Sequence, residues 1–360
     1  MREIHTYGFW EEFASTVIGQ EGQVDLRMNS KTMKIASCLV TIVLIILGIQ
    51  SLGYIVRPTD TDRTYRRIQT FHALPEESVE VIIYGSSHAF LGVNTMELYN
   101  KYGIGAYNYG ANYQKSNTVN LFLHDSFETQ TPKLAIIDTF FADRLLKDTN
   151  VTAEVFYTRY LDNSAQKKRY LKQCFGNNIK RWLSYFIPLY AFHENWNTLN
   201  QVSFMPLATS GNGDSLQMIR SNMGYAPYDT VTKIKIPDSS AAEQTELSEE
   251  AVAELDDIVA ACREEGTEIL FVTIPYDTAY PNADAMAEYA RANGYEYLNL
   301  FDYSEEMGLN GETDFKDKGH LNKSGATKVA DFIGRFIVDH YDLTDMRKEE
   351  NNLWEQALNN

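Results

Sequence analysis

Val81-Ile82-Ile83-Tyr84-Gly85-Ser86-Ser87-His88 decides the reading of this chain. The run from Val79 to Tyr84 is apolar and β-branched, which predicts a short buried strand. Gly85 and Ser86 then break the strand and present a hydroxyl where a helix begins. Backbone N–H groups at a helix start can stabilise an oxyanion. About 230 residues later stands Asp314-Phe315-Lys316-Asp317-Lys318-Gly319-His320-Leu321-Asn322. Here an Asp and a His lie three residues apart, just ahead of a helix capped by Asn322. A serine nucleophile needs a base, and the base needs a partner that fixes its tautomer. Ser87, His320 and Asp317 supply all three. Ser87 is the better nucleophile candidate than Ser86, because it lies two residues past the glycine. His88 is too close to serve its neighbour as base, so local hydrogen bonding or lining of the site is its expected role. The bland reading of each motif is an ordinary capped turn.

Between the two motifs strands and helices alternate. Strands are expected at Ala106–Tyr109, Leu134–Phe140, Glu268–Ile274 and Tyr295–Leu300. Helices are expected at Thr95–Tyr102, Ser116–Phe127, Ser248–Glu265, Ala283–Asn293 and Lys323–His340. Ser248 caps its helix and Gly266 ends it. This alternation predicts an α/β fold, a parallel sheet flanked by helices on both faces in a flavodoxin-like, three-layer arrangement. The rhythm breaks at about 143–238, which is rich in Tyr, Phe, Trp and Asn. That stretch is expected as a mostly helical insertion over the carboxyl edge of the sheet, where open α/β sheets bind ligands.

Ile35 to Val56 runs for 22 residues without a charge. As a helix it would be about 33 Å long, enough to cross a hydrocarbon core. A cleaved signal peptide is the alternative, but the run is long for one and no small-x-small site follows. Basic residues flank both ends, so the count of positive charges does not orient the span. The large portion that follows it favours an external domain, with the chain a single-pass protein of the cell membrane and residues 35–56 in the lipid bilayer. The expected organisation is a tail at 1–34, a transmembrane helix at 35–56, a charged stem at 57–78, the main domain at 79–342 with its insertion, and a polar tail at 343–360. The first tail is read as disordered, or as sequence ahead of a start at Met28. The last is read as a short helix or disorder.

The formal net charge of −17 excludes wholesale binding to nucleic acid. Cys38, Cys174 and Cys262 are far apart, with neither metal-like spacing nor a disulfide framework. No His/Glu helix motif is present, so no metal or cofactor is expected. Lys167, Lys168, Arg169, Lys172, Lys180 and Arg181 form a locally basic stretch. It is a candidate for binding an anionic polymer or lipid headgroups, against the plainer reading of a solvated helix face. Asn108-Tyr109-Gly110-Ala111-Asn112 follows the second strand. Gly110 could offer an N–H and Asn112 an amide to an oxyanion, though an ordinary strand-end turn fits as well.

Taken together, these elements resemble the SGNH/GDSL hydrolase superfamily in their order. A Ser follows strand one, a Gly follows strand two, and Asp-x-x-His precedes the final helix. The Gly-Ser-Ser-His opening and the Asp-Phe-x-Asp-x-x-His-Leu-Asn-x-x-Gly-Ala ending are similar to the membrane-anchored bacterial branch. That branch includes the alginate O-acetylation proteins and the D-alanyl-lipoteichoic acid biosynthesis protein. The resemblance spans about 79–340 and implies Ser87 as nucleophile, His320 as base and Asp317 as orienter. It also implies an oxyanion hole from the Ser87 N–H and Gly110. The superfamily's third block, Gly-x-Asn-Asp, is missing. Strand three instead ends Ile-Ile-Asp-Thr-Phe-Phe-Ala-Asp, so Thr139 or Asn112 would have to replace the missing donor. Loss of one such donor costs about 10² to 10³ in rate. Gly213-Asp214-Ser215-Leu216 spells the superfamily's four letters, but no strand precedes it and it reads as a loop and helix start.

The implied function is a membrane-tethered extracellular serine esterase or O-acyltransferase acting on an acylated surface glycan or teichoic-acid-like polymer. Two alternatives stand beside it. One is a catalytically reduced protein of the same fold that binds or helps assemble such a polymer. The other is a soluble esterase whose apolar run is a core helix.

Overall fold

The computed structural model describes residues 30–207, 216–350 and 352–359. Most of the N-terminal tail lies outside the described residues, as do Gly213, Asp214 and Ser215. The chain divides into two compact units at Ile49/Gln50. The described part of the first is helical, and its helix runs from Ser30 to Ile55, into the second unit. Lys31–Ile55 has a mean hydropathy of 2.5, and it is long and apolar enough to cross a membrane. Its apolar side chains from Ile35 to Leu47 are exposed.

The second unit is built on five parallel strands in the order β2-β1-β3-β4-β5. They are β1 (Val81–Tyr84), β2 (Ala106–Asn108), β3 (Leu134–Asp138), β4 (Glu268–Thr273) and β5 (Glu296–Asn299). Each strand lies within two residues of its expected bounds. Val81 pairs with Ala106 on one side and with Leu134 on the other. β1 therefore lies centrally, and the order of connection reverses between β1 and β3. The crevice outside the carboxyl ends of strands at such a reversal is where open α/β sheets bind ligands.

Both faces of the sheet are buried, as a parallel sheet requires. Ile82, Tyr84, Ala135, Ile137, Ile269 and Phe271 point to one face. There they meet Leu121 and Phe122 of the helix Ser116–Phe127 and Leu255 and Ile258 of the helix Glu249–Glu265. The alternate residues Val81, Ile83, Ile136, Leu270 and Val272 meet Ala330, Ile333 and Ile337 of the helix Lys323–His340. Local signals set the helix ends. Ser248 Oγ accepts from the Ala251 N–H, and Gly266 closes that helix in the left-handed region at φ 73°.

Three regions depart from the sequence expectation. The stretch 57–78 is not an exposed stem. The helix Asp62–His72 packs into the domain, and Arg57, Asp62, Arg66 and Arg67 are all buried. Arg57 holds Asp62 through two parallel bonds of 3.0 and 2.8 Å, which neutralises a pair that could not be buried singly. Secondly, the insertion is helical only in its first part, through Ala165–Phe175, Ile179–Phe186 and shorter turns. From Asn222 to Leu247 the chain is extended apart from one short turn at Ser239–Ala241. Met223 O accepts from Asn108 N, Ala226 N donates to Phe90 O, and Thr232 N donates to Phe315 O. This segment thus ties β2 to the region of His320. Thirdly, the polar C-terminal tail forms the helix Leu353–Leu358 and buries Trp354 completely. The Trp354 indole N–H donates to Ala106 O at 2.9 Å, covering the edge strand β2.

Candidate active site

β1 ends at Tyr84, and Gly85 makes the turn with φ 140°, a conformation side chains resist. A Cβ at Gly85 would lie 2.5 Å from Asp138 Cβ, so only glycine lets β3 approach here. Gln114 Oε1 accepts from the Gly85 N–H at 2.7 Å. Ser86 caps the helix Ser87–Gly92 by accepting from the His88 N–H. Ser86 is buried, whereas Ser87 is half-buried at the head of the helix. No backbone or side-chain acceptor among the described residues takes the Ser87 N–H.

The second motif forms a small hairpin rather than a loop. β6 (Phe315–Asp317) pairs antiparallel with β7 (His320–Leu321), and Asp317 stands opposite His320. Asn322 then caps the final helix and ties back to Thr230 O and Thr313 O. Buried Asp314 anchors the hairpin, accepting from Ser324, Lys328 and the Asn310 N–H.

These two motifs meet. Ser87 Oγ lies 2.7 Å from His320 Nε2 across 233 residues of sequence. His320 Nδ1 lies 2.7 Å from Asp317 Oδ1. Asp317 Oδ1 also accepts from the Gly319 N–H at 2.9 Å, and Oδ2 from Lys316 Nζ at 2.8 Å. Partial burial opposes ionisation of Asp317. The Lys316 ammonium, His320 and the Gly319 N–H outweigh it and hold the carboxyl at about 2. An ionised Asp317 fixes a proton on His320 Nδ1 and leaves Nε2 as the acceptor facing Ser87.

A second polar chain, Asp138–Ser86–His88, underlies the first. Asp138 Oδ2 accepts from the Ser86 hydroxyl at 3.0 Å and from its N–H at 3.2 Å, and Oδ1 accepts from the Phe140 N–H. Burial pushes the Asp138 carboxyl up to about 6, against the pull of those donors. The Ser86 hydroxyl lies 3.2 Å from His88 Nδ1. With the Ser86 proton on Asp138, His88 Nδ1 is the donor and Nε2 carries a lone pair. His88 Nε2 is buried with no partner. Burial, and then the neighbouring His320, drive the His88 pKa well below the imidazole range. His88 stacks on Phe140 at 3.6 Å between centroids and lies 5.0 Å from the His320 ring. Asp138 in the sequence signalled only possible repulsion; its role beneath the turn depends on strand register, which the sequence does not print.

The expected oxyanion donors fare differently. The Gly110 N–H donates to Asn108 Oδ1 at 3.2 Å, and Asn108 is itself held by donating to Ala89 O. Gly110 is thus committed within its own turn. A Cβ there would come 3.0 Å from Gly85 O, so its visible task is close packing. Thr139 is fully buried against Thr273 and is withdrawn from the site. Asn112 is half-buried, and its amide has no hydrogen-bond partner among the described residues. A cleft of about 490 Å³ lined by Phe140, Arg144, Tyr276, Thr278 and Asn282 opens beside His88.

The basic stretch is not one continuous free face. Lys167 is buried and donates to Leu161 O. Arg169 pairs with Glu254 and Asp257, and Arg181 with Asp148. Lys172 bonds Asn177. Lys168 and Lys180 are exposed. Among the described residues, no group of three or more His, Cys, Asp or Glu side chains is gathered as a metal site.

No protein-family model matches the chain, and no curated protein does. Among solved structures it is similar to a Bacteroides fragilis protein described as a "putative acylhydrolase". The TM-score is 0.36 and the identity 12%, over 75% of this chain and 93% of that one.

Proposed function

We propose that the chain is a membrane-tethered serine esterase or O-acyltransferase of SGNH type, acting on acyl groups of a cell-surface glycan. One observation carries this reading: the run of two 2.7 Å contacts from Ser87 through His320 to Asp317. In the proposed reaction Ser87 Oγ attacks the ester carbonyl while His320 Nε2 takes its proton. The tetrahedral intermediate collapses, and the leaving alcohol takes that proton from His320. Water or a sugar hydroxyl then attacks the acyl-Ser87, losing its proton to His320, and Ser87 departs as the hydroxyl. The oxyanion would take the Ser87 N–H and the Asn112 amide. Phe140 and Tyr276 would offer apolar walls to a sugar. The apolar helix would hold the domain at the outer surface of the membrane where such polymers are made.

The test is acid release from an acetyl ester by the full chain. Ser87→Ala is expected to lose the activity, and equal rates for the two proteins would reject Ser87 as nucleophile.

The bond from Gly110 N–H to Asn108 supports a second reading, a polymer-binding protein of reduced activity. It predicts salt-dependent binding of an anionic polymer and no turnover of any ester by the wild-type chain.

A further inference from the structure

The last turn of the apolar helix does not leave the domain freely. Gln50 Nε2 donates to Phe186 O, Tyr54 donates to Met205 O at 2.6 Å, and Asn195 donates to Val56 O at 2.9 Å. Gly53 lies so close to Leu189 N that a Cβ would be 3.0 Å away. The segment that receives this turn is a shelf of exposed apolar side chains. Ile179, Leu183, Phe186, Tyr190, Trp196 and Phe204 are between 46% and 72% exposed. Apolar patches of this kind mark an interaction surface, and this one is continuous with the end of a helix suited to lipid.

Beneath the shelf is a pocket of about 260 Å³, lined by Gln50, Tyr54, Arg57, Phe156, Arg159 and Tyr160 among others. Arg57 is neutralised there by Asp62. Arg159 is not. Its Nη1 is buried without a hydrogen-bond partner, and no carboxylate among the described residues pairs with it. The guanidinium lies 5.1 Å over the Phe156 ring. Burial pulls its pKa down, with Tyr185 and Tyr160 only partly offsetting the loss of water. A desolvated cation without a counter-ion calls for an anion. Its planar fork suits the two oxygens of a phosphate.

We propose that this pocket binds the phosphate of a membrane phospholipid, with Arg159 as its ion-pair donor and the apolar shelf seated in the bilayer interface. Trp and Tyr at such a level are characteristic of membrane–water boundaries. The volume, roughly nine waters' worth, admits a headgroup and leaves the acyl chains outside against the shelf. The inference rests on the membrane reading of the apolar helix and is independent of Ser87.

The test uses the full chain in detergent, titrated with phosphatidylglycerol and read by native mass spectrometry for bound lipid. Wild type is expected to retain one lipid about tenfold or more tighter than Arg159→Gln, the worth of one charge-assisted contact. Arg159→Lys keeps the charge but loses the fork and is expected to fall between them. It is read in place of Arg159→Gln should that variant not fold. Variants equal to wild type would overturn the site. Inorganic phosphate alone binding as tightly as the lipid would overturn the lipid assignment. In nanodiscs, brominated lipid is expected to quench wild-type tryptophan fluorescence more than that of Trp196→Phe; equal quenching would overturn the seating of the shelf. A chain absent from the membrane fraction of expressing cells would reject the tether itself, which separates that failure from failure of the pocket.

Discussion

Asp138 Oδ2 lies 3.0 Å from the Ser86 hydroxyl and 3.2 Å from the Ser86 N–H, so the end of β3 holds the turn that presents Ser87. The carboxyl is buried and pushed up to about 6 from its ordinary 3.8. Between those values the folded chain keeps a proton that the unfolded chain has released. Stability therefore falls as pH rises from about 4 to 6, and this contribution is flat above. Two pKa units correspond to roughly 3 kcal/mol. Asp138→Asn is expected to flatten that part of the slope. Urea midpoints measured from pH 4 to 7 check it, and identical slopes in wild type and variant would contradict it.

Gly85 is expected to tolerate no side chain. In Gly85→Ala the new methyl meets Asp138 Cβ at 2.5 Å, and the backbone is strained at φ 140°. Such strain costs about 1 to 3 kcal/mol before any repacking. The turn must shift, and Ser87 with it. Esterase activity should fall steeply while circular dichroism still reports the α/β content. Unchanged activity would show that the turn is looser than its contacts imply.

Asp317 orients His320 through a 2.7 Å bond. Asp317→Asn can present an amide N–H to Nδ1 and favour the wrong tautomer. Where a triad carboxylate plays this part, the same change costs about 10⁴ in kcat. A fall of that order with KM little changed is expected. A loss confined to KM would assign Asp317 to substrate binding instead.

Trp354 locks the C-terminal helix onto β2. Trp354→Ala is expected to destabilise the domain by about 3 to 5 kcal/mol, through the cavity and the Ala106 carbonyl left without a donor. Chemical denaturation measures the loss, while kcat of the folded protein should be unchanged. A negligible shift would mean that the tail detaches in solution.

The sheet was legible because its strands are short apolar runs bounded by Gly, Asp and Pro, and its helices carry their own caps. Ser87, His320 and Asp317 were legible as a pattern, since each stands where a strand or hairpin hands over to a helix. What was hidden depended on partners distant in sequence. Asp138 meets Ser86 only because β3 pairs with β1. Gly110 turns to Asn108 because Asn108 is pinned by Ala89, which no local spacing reveals. Arg57, Arg66 and Arg67 read as a charged stem because their burial is made by contacts with residues some 140 to 160 positions away. Trp354 sits in a polar tail, and only the edge of β2 gives it a place to bury.

The most direct measurement of the central claim is reaction of the full chain with a fluorophosphonate probe, followed by peptide mass spectrometry. Phosphonylation is expected at Ser87 alone, to one equivalent, and strongly slowed in His320→Ala. Labelling at another serine, or at Ser87 with equal rates in wild type and His320→Ala, would contradict the pairing of Ser87 with His320 as nucleophile and base.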